Sequence, residues 1–188
     1  MTKFTFASHV GGFDEHIRKS IRGYQDLLDD IVKFSEYFVE DDTNVIDIGC
    51  STGKLLRQMQ EHNNRHHPAC RYKGVEIEQD FFPYLVDADN LQFYKLDVRS
   101  FDWPALENKC SLINSIFTLQ FIPKRDRKKI ISEIHDSLVK GGAFIFAEKT
   151  FSVSPQIEDM LTFCYYDWKQ RYFSEQEILE KEAQLRHM

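Results

Sequence analysis

The stretch Asp47-Ile48-Gly49-Cys50-Ser51-Thr52-Gly53 decides the fold that this chain of 188 residues is expected to adopt. Residues 44–48 form a mostly apolar run typical of a strand, and residues 54–61 have the spacing of a helix. Glycines in the turn between them let the backbone pass close beneath a ligand, and the N–H groups that begin the helix can bind a carboxylate. The stretch therefore predicts a strand–turn–helix unit with a ligand at its turn.

Strand and helix patterns alternate through the chain that follows. Further strands are predicted at residues 72–76, 91–96, 112–117 and 143–147, and further helices at residues 80–86 and 127–138, the latter ended by Gly141-Gly142. The fifth strand is apolar throughout, as expected of a strand that is covered on both faces. Strands separated by helices imply parallel pairing with right-handed crossovers. The sequence thus predicts a doubly wound α/β fold, with a mostly parallel sheet and helices on both faces.

Helical patterns are also predicted on either side of this core. Between residues 13 and 38 apolar side chains recur every three or four positions, and Gly23 is expected to separate two helices. Residues 155–188 have a helical pattern in two pieces that join near residues 172–174. Because no repeat or linker interrupts the sequence, a single domain is expected. Its parts are N-terminal helices (1–42), a nucleotide-binding core (43–150) and a helical tail (151–188).

Composition and charge limit the kind of protein that this chain can be. Apolar residues make up 42% of it, but no run of about 18 apolar residues occurs, so we expect a cytoplasmic protein without a membrane partner. The formal charge of −6 argues against non-specific coating of nucleic acid. It leaves open a local contact with RNA, for which the basic residues 124–129 are the first candidate. Cys50, Cys70, Cys110 and Cys164 are widely separated, so neither a disulfide nor a thiolate zinc site is expected.

Groups at three successive strand ends indicate the ligand. In open parallel sheets, ligands bind outside the carboxyl ends of the strands. The glycine turn follows the first strand, and Glu76 ends the second, where an acid can accept ribose hydroxyls. Asp97 and Val98 follow the third, where a carboxylate and a backbone N–H can hold the edge of an adenine. The turn is Gly-x-x-x-Gly rather than Gly-x-Gly-x-x-Gly, which fits a ligand without a pyrophosphate, and S-adenosylmethionine (SAM) is therefore predicted.

Several stretches resemble the bacterial carboxy-S-adenosylmethionine synthases, relatives of the class I methyltransferases. These enzymes make a carboxymethyl donor for tRNA wobble-uridine modification and use prephenate as the carboxyl donor. The matching stretches are Phe13-Asp14-Glu15, Gly23-Tyr24, Asp47-Ile48-Gly49-Cys50-Ser51, Phe117-Thr118-Leu119-Gln120-Phe121, Gly141-Gly142-Ala143, Glu148-Lys149, Phe173-Ser174-Glu175 and Glu177-Ile178. The resemblance implies SAM or carboxy-SAM as the cofactor. With the strand-end pattern, the expected cofactor contacts are Tyr24, Asp47, Gly49, Cys50, Ser51, Gly53, Glu76, Ile77, Asp97, Val98 and Phe117.

The chain departs from the pattern of that family at positions that bear on activity. Ile77 and Ile116 stand where the family has asparagines. Glu182 replaces an arginine that, in the family, reaches in from the partner subunit and holds the extra carboxylate of carboxy-SAM. A carboxylate repels a carboxylate, whereas an arginine makes paired hydrogen bonds with it. Unless Lys181 or Arg186 substitutes for the arginine, poor binding of carboxy-SAM is expected.

The sequence leaves three functions open. Methyl transfer to an unidentified acceptor is favoured, because it mainly requires alignment of a nucleophile with the sulfonium methyl group. Synthesis of carboxy-SAM and a non-catalytic role as a SAM sensor or decoy are the alternatives. No catalytic residue is assigned. His62, His66 and His67 are attributed to a solvated helix end rather than to a metal site. The aromatic residues between 165 and 173 line a substrate pocket or pack in the core or an interface.

Assembly is inferred from the last strand. The family continues through a β-hairpin beyond the position of Met188, and without that hairpin residues 143–147 are an apolar sheet edge. Such an edge pairs with another chain or needs a cover. A homodimer in which residues 155–188 supply much of the interface is therefore expected.

Overall fold

A five-stranded parallel sheet is the centre of the computed structural model, which describes residues 12–185. The strands are β1 Asn44–Ile48, β2 Arg71–Glu76, β3 Leu91–Lys95, β4 Cys110–Ile116 and β5 Leu138–Ala147. Their order is β3-β2-β1-β4-β5, and every neighbouring pair is parallel. Since the strand order reverses beside β1, the carboxyl ends of β1 and β4 border the crevice where ligands of such sheets bind. The predicted doubly wound fold is confirmed.

Helices precede, separate and follow the strands along the chain. In the described residues the α-helices are α1 Phe13–Ser20, α2 Tyr24–Ser35, α3 Lys54–Asn63, α4 Lys124–Ser137, α5 Pro155–Lys169 and α6 Glu175–Leu185. Short 3-10 helices span Gln79–Tyr84, Val98–Ser100, Trp103–Ala105 and Leu119–Phe121. Gly23, with φ of 74°, separates α1 from α2 as predicted. The tail also forms two helices, as its pattern indicated.

The chain divides into two compact units. One is Leu27–Glu148, which holds the sheet, α3 and α4, and the other combines Met1–Asp26 with Lys149–Met188. In the first unit every residue of β1 is buried, because the strand has a neighbour on each side and apolar residues above and below. Ile46 of β1, Ile113 of β4 and Ile130 of α4 share one apolar cluster. We expect the two units to act as the single domain indicated by the sequence, which remains a prediction.

The glycines Gly141 and Gly142 lie inside β5, whereas the sequence pattern placed them at the end of the preceding helix. The register of the β4–β5 pairing shifts across them, and Gly141 has φ of 92°. A Cβ atom at Gly142 would lie 3.0 Å from the main-chain oxygens of Cys110 and Ser111. The two glycines therefore permit an irregularity in the strand and a close approach of β4, and do not end a helix.

Two other expectations about local structure are corrected. Phe146 of β5 is 59% exposed, so the strand is not covered on both faces. Within the described residues β5 pairs only with β4, which makes it an edge strand. Residues 80–86 do not form an α-helix, because Pro83 has no N–H to donate and its ring disfavours a continuing helix. The 3-10 helix Gln79–Tyr84 takes its place.

Candidate cofactor site

The turn after β1 has an unusual backbone conformation. Gly49, Ser51 and Gly53 have φ of 73°, 50° and 74°. Positive φ is strain-free for glycine but disfavoured for serine, so other contacts must hold Ser51 in place. The N–H groups of Gly49 and Cys50 both donate to the carbonyl oxygen of Val75, at 2.8 and 3.2 Å. The turn is thereby attached to the end of β2.

Neighbouring side chains leave no room for a larger residue at either glycine. A Cβ atom at Gly49 would lie 2.3 Å from Oγ1 of Thr118, in the segment after β4. At Gly53 it would lie 2.8 Å from the ring of Phe93 on β3. The turn therefore packs against β3 and against the segment that leaves β4, and it forms the floor of the crevice at the carboxyl ends of the strands.

Glu76 connects the glycine turn to the end of β2. One carboxylate oxygen accepts the N–H of Ser51 at 2.7 Å, and the other accepts those of Ile77 and Glu78, both at 2.8 Å. Burial raises the pKa of Glu76, and these three hydrogen bonds oppose that effect. A carboxylate has about four acceptor positions, so Glu76 retains capacity for a ribose hydroxyl while it holds the strained Ser51.

Asp47 is a second buried acid beside this turn. Only 3% of it is exposed, and burial together with the nearby charge of Glu76 raises its pKa to about 7. Within residues 12–185, no group donates a hydrogen bond to its carboxylate, so the charged form is not stabilised in that way. A cation bound here would favour the ionised acids. Burial and Asp47 also raise the pKa of the Cys50 thiol, which makes it a poor nucleophile.

Asp97 is held by a neighbouring arginine. Nε of Arg99 donates to both carboxylate oxygens, at 3.0 and 2.9 Å, and Nη2 donates at 2.6 Å. These hydrogen bonds keep the pKa of Asp97 below its usual range. The side chain of Val98 is buried in the apolar cluster, which fixes the backbone that follows β3. An adenine amino group that donates to Asp97 would have to use an acceptor position of the carboxylate that Arg99 does not occupy.

Phe117 begins a tightly held segment after β4. Its φ is 55°, which is strained for an aromatic residue. The carboxylate of Glu148, directly after β5, accepts the N–H of Leu119 at 2.7 Å and that of Gln120 at 3.2 Å. Nε2 of Gln120 donates to the carbonyl oxygen of Phe117 at 3.0 Å. Glu148 thus fixes a loop that borders the glycine turn through Thr118.

Arg127 of α4 completes the hold on this loop. Nε donates to the carbonyl oxygen of Ile122 at 2.8 Å, and Nη2 donates to that of Gln120 at 2.9 Å. Sequence reasoning missed both Arg127 and the role of Glu148. The signal for Glu148 was present, since it is an acid at the end of an apolar strand, as Glu76 is. No comparable signal marks Arg127, which belongs to a basic run that reads as a solvated face.

The structure brings most of the predicted site residues into one unit. The glycine turn, Glu76, Ile77, Asp97, Val98 and Phe117 all lie near the carboxyl ends of strands in Leu27–Glu148. Tyr24, Lys181 and Glu182 belong to the other unit, so their part in the site stays a prediction. Arg186 lies outside the described residues.

Between residues 12 and 185, no group of three or more His, Cys, Asp and Glu side chains is arranged to hold a metal ion. His62 contacts Glu36, and His67 faces Asp41. In the same part of the chain, every helix is too short or too polar to cross a membrane.

Comparisons with known proteins agree with this geometry. A family model described as "Methyltransferase domain" matches residues 45–142. The carboxy-S-adenosyl-L-methionine synthase of Staphylococcus epidermidis is 33% identical over 190 residues, covering 98% of this chain and 80% of that protein. The synthase of Shewanella oneidensis is 31% identical over 196 residues, covering 100% of this chain and 79% of that protein.

Solved structures show the same fold at lower identity. The SAM-bound amino pentose methyltransferase CalS10 of Micromonospora echinaspora has a TM-score of 0.54 and 16% identity, with 83% of this chain and 60% of that chain covered. DesVI of Streptomyces venezuelae has a TM-score of 0.54 and 21% identity, with 79% and 59% covered.

Proposed function

The chain belongs to the carboxy-S-adenosyl-L-methionine synthase family within the class I methyltransferases, and we propose that it binds SAM at the glycine turn and transfers its methyl group. It is a SAM-dependent transferase. The observation that carries the proposed site is the pair of buried acids, Asp47 and Glu76, at the carboxyl end of the central strands. Because SAM has a sulfonium and an ammonium group, it supplies the positive charge that these carboxylates lack.

The rest of the cofactor is assigned by position. Glu76 accepts a ribose hydroxyl, and the segment at Asp97 and Val98 borders the adenine. The methionine part of SAM lies over the glycine turn, where its carboxylate can meet the N–H groups that begin α3. Calorimetric titration with SAM and with its demethylated product tests this assignment. Binding of neither compound would exclude the site.

Methyl transfer is preferred to synthesis of carboxy-SAM because of Glu182. The family's arginine would neutralise a carboxylate, but here a carboxylate occupies the position and accepts a hydrogen bond from the hydroxyl of Tyr166. Methyl transfer also does not depend on a catalytic base, and none is assigned in this site. Orientation of the acceptor contributes most of the rate. The loop from Phe117 to Gln120, held by Glu148, is placed to position that acceptor.

Carboxy-SAM synthesis is the second candidate function. Relatives that are 31–33% identical over nearly the whole chain are named as such synthases, and Lys181 lies next to the position of the missing arginine. Mass spectrometry of the ligand that remains bound through purification separates the two candidates. Carboxy-SAM would favour the synthase, whereas SAM or its demethylated product favours the methyltransferase. A role in tRNA modification depends on the synthase outcome. If RNA is bound under either function, residues 124–129 are the proposed contact.

A homodimer in the cytoplasm completes the proposal. Helix α5 exposes Ile157, Met160, Leu161 and Phe163, each 47% or more, and a cluster of apolar side chains of this kind is typical of an interface. All four cysteines have free thiols, which suits a reducing compartment. Light scattering that gives the mass of one chain at high concentration would exclude the dimer.

A further inference from the structure

Arg57, near the start of α3, donates hydrogen bonds to main-chain oxygens of two separate segments. Nη1 donates to the carbonyl oxygen of Thr52, in the glycine turn, at 2.7 Å. Nη2 donates to the carbonyl oxygen of Tyr84, which ends the 3-10 helix after β2, at 2.5 Å. The two bonds leave from one planar group, a fork of donors that arginine has and lysine lacks. Arg57 therefore joins the glycine turn to the segment that follows β2.

An aromatic ring holds the guanidinium group of Arg57 in this position. Its central carbon, Cζ, lies 5.1 Å from the centre of the Phe93 ring, a favourable cation–π contact. The ring itself is buried and packs closely against two glycines. A Cβ atom would lie 2.8 Å from it at Gly53 and 2.6 Å from it at Gly74. Arg57 is thus oriented by a fixed surface as well as by its two acceptors.

Glu76 joins the same two segments at a second point. Its carboxylate accepts the N–H of Ser51 in the glycine turn and those of Ile77 and Glu78, which lead into the 3-10 helix. The turn, Glu76, the 3-10 helix and Arg57 therefore form a closed ring of bonded groups. Without Arg57 the ring opens, and the two segments stay joined only at the end that Glu76 holds.

We propose that Arg57 is a positioning residue for SAM, which keeps Glu76 and the glycine turn in the arrangement that the cofactor requires. The inference rests on the proposed function, in which the ribose lies at Glu76 and the methionine part lies over the turn. A site whose two walls are fixed in advance loses less conformational entropy when a ligand binds across them. Removal of the fork should therefore weaken every ligand that spans both walls.

Calorimetric titration of the full chain with SAM and with its demethylated product tests this role. In Arg57→Met both ligands should bind at least about tenfold more weakly, and by similar factors, as expected for the loss of charge-assisted hydrogen bonds. Loss of a positive charge alone would act differently, because it favours the cationic SAM over the product, which has no sulfonium. Arg57→Lys retains the charge without the fork, so it should recover only part of the affinity.

Hydrogen–deuterium exchange of the SAM-free proteins separates positioning from general support of the fold. Arg57→Met should accelerate exchange at Leu85 and Val86, whose N–H groups donate to the carbonyl oxygens of Phe82 and Tyr84. Exchange in β4 should not change. If exchange rises at the end of the 3-10 helix while both affinities keep their wild-type values, Arg57 only supports the fold and the proposal is wrong.

Arg65→Met is the matched control, because it removes the same charge from an exposed arginine just beyond α3. It should leave both affinities unchanged, and an equal loss in this variant would show that net charge controls binding. Full recovery by Arg57→Lys, or clearly unequal losses for the two ligands, also overturns the proposal. If Arg57→Met does not fold, Arg57→Lys decides, since it should bind both ligands more weakly than the wild type.

The two levels of inference fail in different ways. If the wild-type protein binds neither ligand, the proposed cofactor site is excluded, and the role of Arg57 with it. If the wild type binds SAM and the Arg57 variants bind it equally well, only the positioning role is excluded.

Discussion

Replacement of Asp47 with asparagine should stabilise the SAM-free protein at neutral and alkaline pH. The carboxyl group is buried, and burial and then the charge of Glu76 raise its pKa from 3.8 to about 7. In the unfolded chain the same group ionises near its ordinary pKa. Between these two values the folded protein therefore holds a proton that the unfolded chain has lost, and the free energy of unfolding falls as the pH rises. Asparagine has nearly the same shape and carries no charge.

The magnitude follows from the size of the shift. The pKa rises by about three units, and each unit corresponds to about 1.4 kcal/mol. The contribution of Asp47 to the free energy of unfolding thus declines by up to about 4 kcal/mol between about pH 4 and about pH 7. Asp47→Asn removes this decline, so the variant should exceed the wild type in stability by about 1–4 kcal/mol at about pH 8.

Urea unfolding of both proteins at about pH 5.5, 7 and 8.5 measures the difference in slope. Comparison with the variant is essential, because Glu76 changes stability in the same direction and Asp97, whose pKa is lowered, in the opposite one. Calorimetry in buffers of different ionisation enthalpy adds a second measurement. Wild-type protein should release a proton when the cationic SAM binds near pH 6, and the variant should bind SAM weakly. Equal pH slopes, or a variant that is less stable at about pH 8, would refute the reasoning.

Four further outcomes are expected. Glu76→Gln should weaken SAM binding by about 1–3 kcal/mol without unfolding the domain, and an unchanged affinity in calorimetry would remove Glu76 from the site. Glu148→Gln should accelerate hydrogen–deuterium exchange of the loop after β4, because the amide has one acceptor oxygen and an NH2 group replaces the other, so one of the two N–H groups loses its acceptor. Unaltered exchange there would contradict the positioning role of Glu148. With SAM and prephenate the wild-type protein should form carboxy-SAM only near background, whereas Glu182→Arg should increase it; efficient synthesis by the wild type would show that another cation reads the carboxylate. Leu161→Glu should convert a dimer of about 45 kDa to a monomer of about 22 kDa in light scattering, which are twice and once the chain mass of 22.3 kDa. Gln156→Glu on the same helix should leave the dimer intact. A dimer that survives Leu161→Glu would rule out this face.

Local patterns predicted those parts of the fold that depend on local interactions. The bounds of β1 agree with the sequence pattern at both ends, because an apolar run enclosed by an acidic turn and a glycine turn has few alternatives. The two helices of the tail were likewise evident from their spacing. The start of β5 at Leu138 was not evident, because Gly141 and Gly142 end helices in many proteins. Here contacts with β4 determine their conformation, and such contacts cannot be read from neighbouring residues.

The same distinction applies to the candidate site. Glu76 was identified from its position at a strand end, but its hold on Ser51 depends on how the turn folds back over β2. Arg99 donates hydrogen bonds to Asp97 across a short local turn. The sequence pattern alone does not predict that the arginine side chain points toward this carboxylate. Lys169 reads as an ordinary end of a helix, where a lysine is favourable. Its burial depends on Phe173, which comes after the helix ends.

The charges that remain without a counter-ion distinguish the two units chemically. In Leu27–Glu148, Asp47 is a buried acid, and the charge of a second acid, Glu76, raises its pKa further. In the unit that contains α5 and α6, Lys169 is a buried base whose neighbours include Lys149. Replacing either group with a neutral residue would make the free protein more stable, so folding does not explain them. The proposed SAM site accounts for Asp47, since a cationic cofactor would supply the positive charge that this acid lacks.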